Sequence, residues 1–311
     1  MTDYARLLTE QAGDEPVELD TRKPIEIVDA LLGAEAQVAR AVRAERRKIA
    51  AAAVLIARAI KAGGRLVYAG AGTSGRLGTL DAVECGPTFS VPPSLIQAVI
   101  AGGPRALVRS VEGAEDDPKD AEKRMRRVAV DAKDVVCAIA ASGVTPFTLA
   151  CLDYARARRA ATIFITCADL KAAAKAGAAA PGCDLLINPR VGPEVLAGST
   201  RLKAGTATKM VLNALSTTAM VGLGKVYGNL MVDVRPTSAK LRARAARMVA
   251  DLCDMPVHEA AEVLARGGGR VKVAVVMVHR AVPAAKARAL LDEAGGRLRP
   301  VIGDVRIRRR G

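Results

Sequence analysis

Tryptophan is absent from this 311-residue sequence, and aromatic residues of all kinds make up only 2% of it. A core without rings has to be assembled from aliphatic side chains and close backbone contacts, which suits layered α/β architecture better than an aromatic-rich β sandwich. The same scarcity removes the platforms on which nucleic-acid bases stack. Only two histidines occur, His258 and His279, both late in the chain, so histidine metal centres and Ser-His-Asp triads are hard to assemble. The six cysteines (Cys85, Cys137, Cys151, Cys167, Cys183, Cys253) include no C-x-x-C pair, which predicts reduced structural thiols rather than a disulfide framework or a zinc site. No apolar run approaches the roughly 18 to 20 residues of a spanning helix, and the first two dozen residues carry no signal-peptide stretch. The expectation is a cytoplasmic protein with no membrane partner.

What the sequence has in excess is positive charge, +15 formally. Its basic residues are interleaved with alanine on helix-compatible segments: Arg43, Arg46, Arg47 and Lys48; Lys123, Arg124, Arg126 and Arg127; Arg242, Arg244 and Arg247. That pattern reads as solvated faces, with no nucleic-acid motif and no nucleic-acid partner expected. A basic field favours an anionic small-molecule substrate. Arg306, Arg308, Arg309 and Arg310 read as a solvated tail.

From about Ile25 to Ala62 the apolar residues recur at helical spacing, and the stretch ends at Gly63-Gly64, which predicts a helical lead-in. Five short apolar runs follow, RLVYA (65–69), LIQAVIA (95–101), DVVCAIA (134–140), ATIFIT (161–166) and DLLI (184–187). They alternate with charge-bearing, helix-compatible segments, so the fold class is α/β with a five-stranded parallel, doubly wound sheet. Near Asn188 a Gly- and Pro-rich loop feeds a helix expected to start around Ser199 or Thr200. Later breaks at Pro256, Gly267–Gly269, Pro283 and Gly295-Gly296 predict a small C-terminal all-helical domain. The expected organisation is an N-terminal segment (1–24), the α/β domain with its lead-in (25–236), and the helical domain with its basic tail (237–311).

The segment Tyr68-Ala-Gly-Ala-Gly-Thr-Ser-Gly-Arg-Leu-Gly78 holds a G-x-G-x-x-G directly after a strand. A dinucleotide site wants an acidic residue at the end of the next strand, yet that strand runs into Ala101-Gly102-Gly103. Thr73 and Ser74 add two hydroxyls to the amides of a helix start, which suits a terminal phosphate monoester. Phosphosugar binding by Gly72, Thr73, Ser74 and Gly75 is therefore favoured; on this segment alone a dinucleotide site and a purely structural turn stay open. The third strand ends in a second hydroxyl-bearing turn with Ser142, Gly143 and Thr145. Two such turns at the carboxyl edge of a parallel sheet can converge on one anion. Simple N-capping of the next helix is the structural alternative for Ser142 and Thr145. The loop from Glu194 to Lys203 brings hydroxyls and cations together, and Ser199 and Lys203 read as a clamp for phosphate or carboxylate, with an ordinary N-cap as the alternative for Ser199.

GAGTSGRLGTLDAVECGPTF, SVEGAEDD, AASGVTPF and VGPEVLAGSTRLKAGTATKMVLNALST…GKVYGNLMVDV resemble, in order and spacing, the successive signatures of the N-acetylmuramic acid 6-phosphate etherases, well over residues 60–235 and more loosely at the flanks. The resemblance implies a sugar isomerase (SIS) type three-layer sandwich, a small helical C-terminal domain, a homodimer, and no metal or organic cofactor. It implies a carbon–oxygen lyase of peptidoglycan recycling, which converts N-acetylmuramic acid 6-phosphate to N-acetylglucosamine 6-phosphate and D-lactate by elimination and hydration. The glutamates it singles out match Glu84 and Glu115 here.

Elimination beside the aldehyde of an opened sugar needs a base for the C2 proton and an acid for the departing lactate oxygen; hydration reverses the second role. Following the resemblance, Glu84 is assigned as the acid and Glu115 as the base. From charge pattern alone Glu84 could be a surface carboxylate, and Glu112, Glu115, Asp116 and Asp117 a solvated cap at a helix start. The sequence departs from the family at Val144, where arginine is usual; at Cys85-Gly86-Pro87, where Cys-Pro-Pro is usual; and at Gly33-Ala-Glu-Ala36, a reduced acidic motif. A phosphosugar isomerase or a non-catalytic sugar-phosphate sensor on the same fold are the competing functions.

Overall fold

The structure is a computed structural model that describes residues 11, 18–175, 181–234, 236 and 238–305. The N-terminal segment before Glu18, apart from Gln11, and the basic tail from Arg306 lie outside the described residues. The chain divides into two compact units, one within Met1–Val83 and Pro93–Ser216, the other comprising Glu84–Pro92 and Thr217–Gly311.

In the first unit the lead-in is three helices, α1 (Pro24–Glu35), α2 (Val38–Ala44) and α3 (Arg46–Lys61). There follow β1 (Leu66–Gly70), α4 (Gly72–Phe89), β2 (Ile96–Ile100), α5 (Pro118–Val128), β3 (Val135–Ile139), α6 (Pro146–Ala157), β4 (Ala161–Ile165), α7 (Leu170–Lys175), β5 (Leu185–Ile187) and α8 (Lys203–Gly222). Among the described residues the strands form one parallel sheet of order β2-β1-β3-β4-β5. Each expected strand is found within a residue or two, because a run of buried aliphatics in the middle of a covered sheet has no other place to go. The order reverses between β1 and β3, whose carboxyl ends therefore flank the crevice where such folds hold ligands.

Strand parity sorts the side chains into layers. Val67, Ala69 and Val136 share a cluster with Met125 of α5 and Phe147 and Cys151 of α6. The alternate residues face the opposite layer. There Tyr68 donates to the Asp81 carboxylate of α4 at 2.8 Å, and Ser216 of α8 donates to the same carboxylate at 3.1 Å. Gly78 of α4 lets this helix come close, since a Cβ there would lie 3.0 Å from Tyr68 Cβ. Among the described residues the fully buried rings are Tyr68, Phe147 and Phe164, and the core is otherwise aliphatic, as the composition requires.

At the amino edge of the sheet, Asp134 is buried and accepts from the Arg65 amide at 2.9 Å and from its guanidinium at 2.5 and 3.1 Å. The pair ties the starts of β1 and β3, while Arg65 also donates to the carbonyls of Val128 and Ala129.

The second unit continues with α9 (Ala239–Cys253), α10 (Val257–Arg266), α11 (Val271–Arg280), α12 (Ala284–Glu293) and α13 (Arg299–Ile302). The breaks fall at the expected Pro and Gly positions. Residues 217–236, grouped with the sheet in the sequence reading, belong to this unit, because Tyr227, Val232 and Val234 are buried in the same cluster as α9 and α11. Tyr227 Oη donates to Gly303 O at 2.8 Å and accepts from Val305 N at 2.6 Å. No helix among the described residues is long and apolar enough to cross a membrane.

Two outcomes follow from these contacts. Asp134→Ala leaves the Arg65 donors without their carboxylate and lowers unfolding free energy by about 3 kcal/mol, read from urea denaturation. Burial pushes the Asp81 carboxyl above its ordinary value, opposed by the bonds from Tyr68 and Ser216. The folded state therefore keeps a proton that the unfolded chain releases from about pH 4 upward, and stability falls as pH rises through that window. Asp81→Asn removes this contribution, so its urea midpoint declines less between about pH 4 and neutrality than that of the parent.

Candidate active site

A single residue, Ala71, separates the end of β1 from the start of α4, and this tightness is what glycine permits. A Cβ on Gly75 would lie 2.6 Å from both Gly70 O and Ile100 Cγ1, and one on Gly70 would lie 2.9 Å from Ile139 O. Gly72 has φ +51°, the left-handed turn needed to enter the helix at once. The amides of Thr73 and Ser74 in the first turn have no intrahelical acceptor and stand at the positive end of the helix. Arg76, one residue beyond the glycines, is committed elsewhere: its guanidinium donates to Ala106 O at 2.9 Å and to Arg109 O at 3.4 Å, holding the loop after β2.

At the end of β3, Gly143 has φ +80° and its amide donates to Ala140 O at 3.0 Å. Thr145 occupies the N-cap position of α6, but its hydroxyl makes no capping bond. Ser142 Oγ accepts only a long 3.4 Å contact from the Val144 amide. The N-capping alternative for this turn is therefore not what the structure shows, and both hydroxyls are left to face a cavity.

That cavity, of about 260 Å³, is lined by Gly72, Thr73, Ser74, Ser142 and Thr145 together with Glu115 and Asp116. The two turns do converge at the switch point. Glu115 arrives from a short 3-10 turn, Ala114–Asp116, that follows Gly113 at φ +70°. The acidic run is split in role: Asp117 caps α5, its Oδ1 accepting from the amides of Lys119 and Asp120 at 2.9 and 3.0 Å, whereas Glu115 and Asp116 line the cavity. Glu112 does neither.

Other expected residues fall outside the lining. Gly75 and Gly143 shape the turns rather than bound the cavity. From the third loop it is Gly198 and Thr200, not Ser199, that line it. The helix expected to begin at Ser199 or Thr200 begins at Lys203, and the reason is Glu194. This carboxylate is buried and accepts from the Lys203 amide at 3.0 Å and the Ala204 amide at 2.9 Å, so an acid nine residues upstream supplies the cap that a serine was expected to supply. Lys203 itself is buried; burial pushes its ammonium below the ordinary lysine value, opposed by the carboxylates of Glu194 and Glu35. Its Nζ would lie 3.9 Å from a Cβ on Gly192. Val144, where a cation was expected from the resemblance, lines the cavity and packs with Ala173. Glu84 lies on the later turns of α4, exposed, and is assigned to the second unit. Asp116 and Thr200 were not among the expected site residues; the Glu-Asp repeat and the Ser-Thr pair were the signals that contained them.

The β2-β1-β3-β4-β5 parallel sheet with its two hydroxyl turns at the switch point is a SIS-type fold, and residues 48–156 match the family model described as the glucokinase regulatory protein N-terminal SIS domain. The solved structure of a phosphoheptose isomerase from Neisseria gonorrhoeae aligns with a TM-score of 0.44 at 19% identity, over 63% of this chain and 98% of that one. The family itself is given by full-length relatives. A protein of Synechocystis sp. named N-acetylmuramic acid 6-phosphate etherase is 48% identical over 96% of both chains. Proteins of the same name from Rippkaea orientalis and Rhodopirellula baltica are 45% and 43% identical, over 97% of both chains and over 94% of this chain with 95% of the relative, respectively. This chain belongs to the N-acetylmuramic acid 6-phosphate etherase family.

Replacing Glu194 by alanine strips the buried start of α8 of its acceptor. The expected cost is about 2 kcal/mol in thermal or urea unfolding, with a smaller loss for Glu194→Gln, which keeps one acceptor oxygen.

Proposed function

We propose that this chain is a carbon–oxygen lyase that cleaves the D-lactyl ether of N-acetylmuramic acid 6-phosphate, giving N-acetylglucosamine 6-phosphate and D-lactate. The observation that carries the reading is the presence of Glu115 in the same cavity as the two hydroxyl turns, in a chain that matches its etherase relatives end to end.

The phosphate of the substrate sits against the first-turn amides of α4 and the hydroxyls of Thr73, Ser74, Ser142 and Thr145, with Gly72, Gly75 and Gly143 keeping the backbone close to it. Gly198 and Thr200 of the loop before α8 line the same cavity, with Ser199 between them and Lys203 at the start of the helix. With the sugar held in its open form, Glu115 removes the proton on C2, beside the aldehyde. Glu84 protonates the lactyl oxygen as the C3–O bond breaks, leaving an unsaturated aldehyde and free lactate. Water then adds at C3 as Glu84 takes its proton, and C2 is reprotonated. Each acid–base group contributes typically about 10²- to 10⁴-fold in rate. The scheme calls on neither a metal nor an organic cofactor.

We place the activity in the cytoplasm, in the recycling of cell-wall amino sugars, and in a homodimer. Supporting a dimer, α1 buries none of its residues and carries Ile25, Val28 and Leu32 exposed at 63%, 46% and 66%, a stripe that a second copy covers.

Incubation with N-acetylmuramic acid 6-phosphate in heavy-oxygen water, followed by mass spectrometry, tests the scheme. Expected are lactate without label and sugar carrying solvent oxygen at C3. Glu84→Gln and Glu115→Gln are each expected to lower kcat by about 10²-fold or more. Glu115→Gln is also expected to abolish exchange of the C2 proton with solvent. Label entering lactate rather than the sugar rejects elimination, and tight binding without lactate release replaces the lyase by a sensor.

A further inference from the structure

The helical unit encloses a second cavity, of about 570 Å³, that shares no lining residue with the one at the sheet edge. It lies within the roughly 300–1,000 Å³ range of small-molecule sites. Its walls come from the turn after α8, the segment around Asp233, the glycine loop before α11 and the last turn of α12.

Charge gathers there. Lys272 is nine-tenths buried, its Nζ 2.7 Å from Asp233 Oδ2 and 2.7 Å from Gly296 O. Lys225 Nζ approaches the same Asp233 oxygen at 3.3 Å. One carboxylate is thus shared by two ammonium groups. Arg270 and Arg288 line the cavity as well, and neither has a hydrogen-bond or ion-pair partner among the described residues. Among the described residues of the lining the only other carboxylate is Asp292, so four cations face two acids.

The cavity also holds the start of α11. Arg270 occupies the N-cap position and no side chain caps the helix, while Val271, Lys272 and Val273 of the first turn are buried and line the cavity. Their amides have no intrahelical acceptor, and no protein acceptor replaces it among the described residues. Gly268 and Gly269 lead into this turn at φ +70° and +72°, and a Cβ on Gly268 would meet nothing within 4 Å. Uncapped buried amides, two unpaired guanidinium forks and a lysine pair sharing one carboxylate make donors outnumber acceptors, and a tetrahedral dianion supplies acceptors of the missing kind. Leu223, Val232 and Leu291 give the same cavity an apolar side.

We propose that this cavity binds a phosphate monoester, its phosphoryl group against the first-turn amides of α11 between Arg270 and Arg288, and its organic part against Leu223 and Leu291. The site lies outside the turns and carboxylates assigned to the reaction, and it gives the helical unit a ligand of its own.

The test titrates the full chain with glucose 6-phosphate and, separately, with acetate, following glycine amides by ¹H–¹⁵N spectroscopy. Saturable shifts are expected at Gly268 and Gly269 with the phosphate ester and not with acetate. The double variant Arg270→Ser/Arg288→Ser, whose side chains are exposed and unpaired and so leave the fold intact, is expected to weaken those shifts about tenfold or more. Gly72 and Gly143 report the sheet-edge site in the same spectra and keep their response in that variant. Absence of saturable shifts at Gly268 and Gly269, equal shifts with acetate, or an unchanged titration in the double variant each overturns the proposal.

Discussion

Everything at the sheet-edge site depends on how closely α4 is allowed to approach the ends of three strands. The first turn of this helix is pressed against Gly70 of β1, Ile100 of β2 and, through Gly70, the Ile139 carbonyl of β3. A side chain at Gly75 has no room, because the nearest atom is a backbone oxygen at 2.6 Å that cannot rotate aside. With the helix seated this deeply, its unpaired amides open onto the switch point instead of onto solvent above the sheet. The hydroxyls of the β3–α6 turn then need only to be left uncommitted, and they are: Thr145 sits at an N-cap without capping. The catalytic reading inherits its geometry from a steric fact about two glycines.

The helical unit solves a related problem with different means. Its α11 also begins with uncapped amides, but these are reached through two left-handed glycines rather than through a strand end. Lysine and arginine side chains, rather than hydroxyls, surround them. Hydroxyl-lined turns exchange ligands easily because neutral donors bind modestly, whereas clustered guanidinium groups hold anions by charge.

Much of this was legible in the sequence. Strands β1 to β5 were visible as short aliphatic runs because a doubly covered sheet leaves no polar alternation to confuse them. The helical breaks were visible because proline and glycine act locally. What could not be seen was long-range. The start of α8 was misplaced because its cap, Glu194, comes from nine residues upstream, and a serine close to the helix was the better local candidate. Ser199 was preferred to Thr200 for the same reason, since neither residue's facing can be read from spacing within an irregular loop. Residues 217–236 were assigned to the sheet domain on motif continuity, although Tyr227 is held by the far C-terminal carbonyl of Gly303. Glu84 and Glu115 came from family likeness; spacing alone gave two ordinary surface acids.

Val144 carries a consequence of its own. In place of the arginine usual in the family, the second turn is anchored by an aliphatic side chain that is buried and packs with Ala173 of α7. An ionic anchor weakens as salt shortens the Debye length, from about 10 Å at 0.1 M to about 3 Å at 1 M, whereas apolar contact is insensitive to such screening. The packing that holds this turn is therefore insensitive to ionic strength, and it weakens instead on cooling, when the hydrophobic driving force fades.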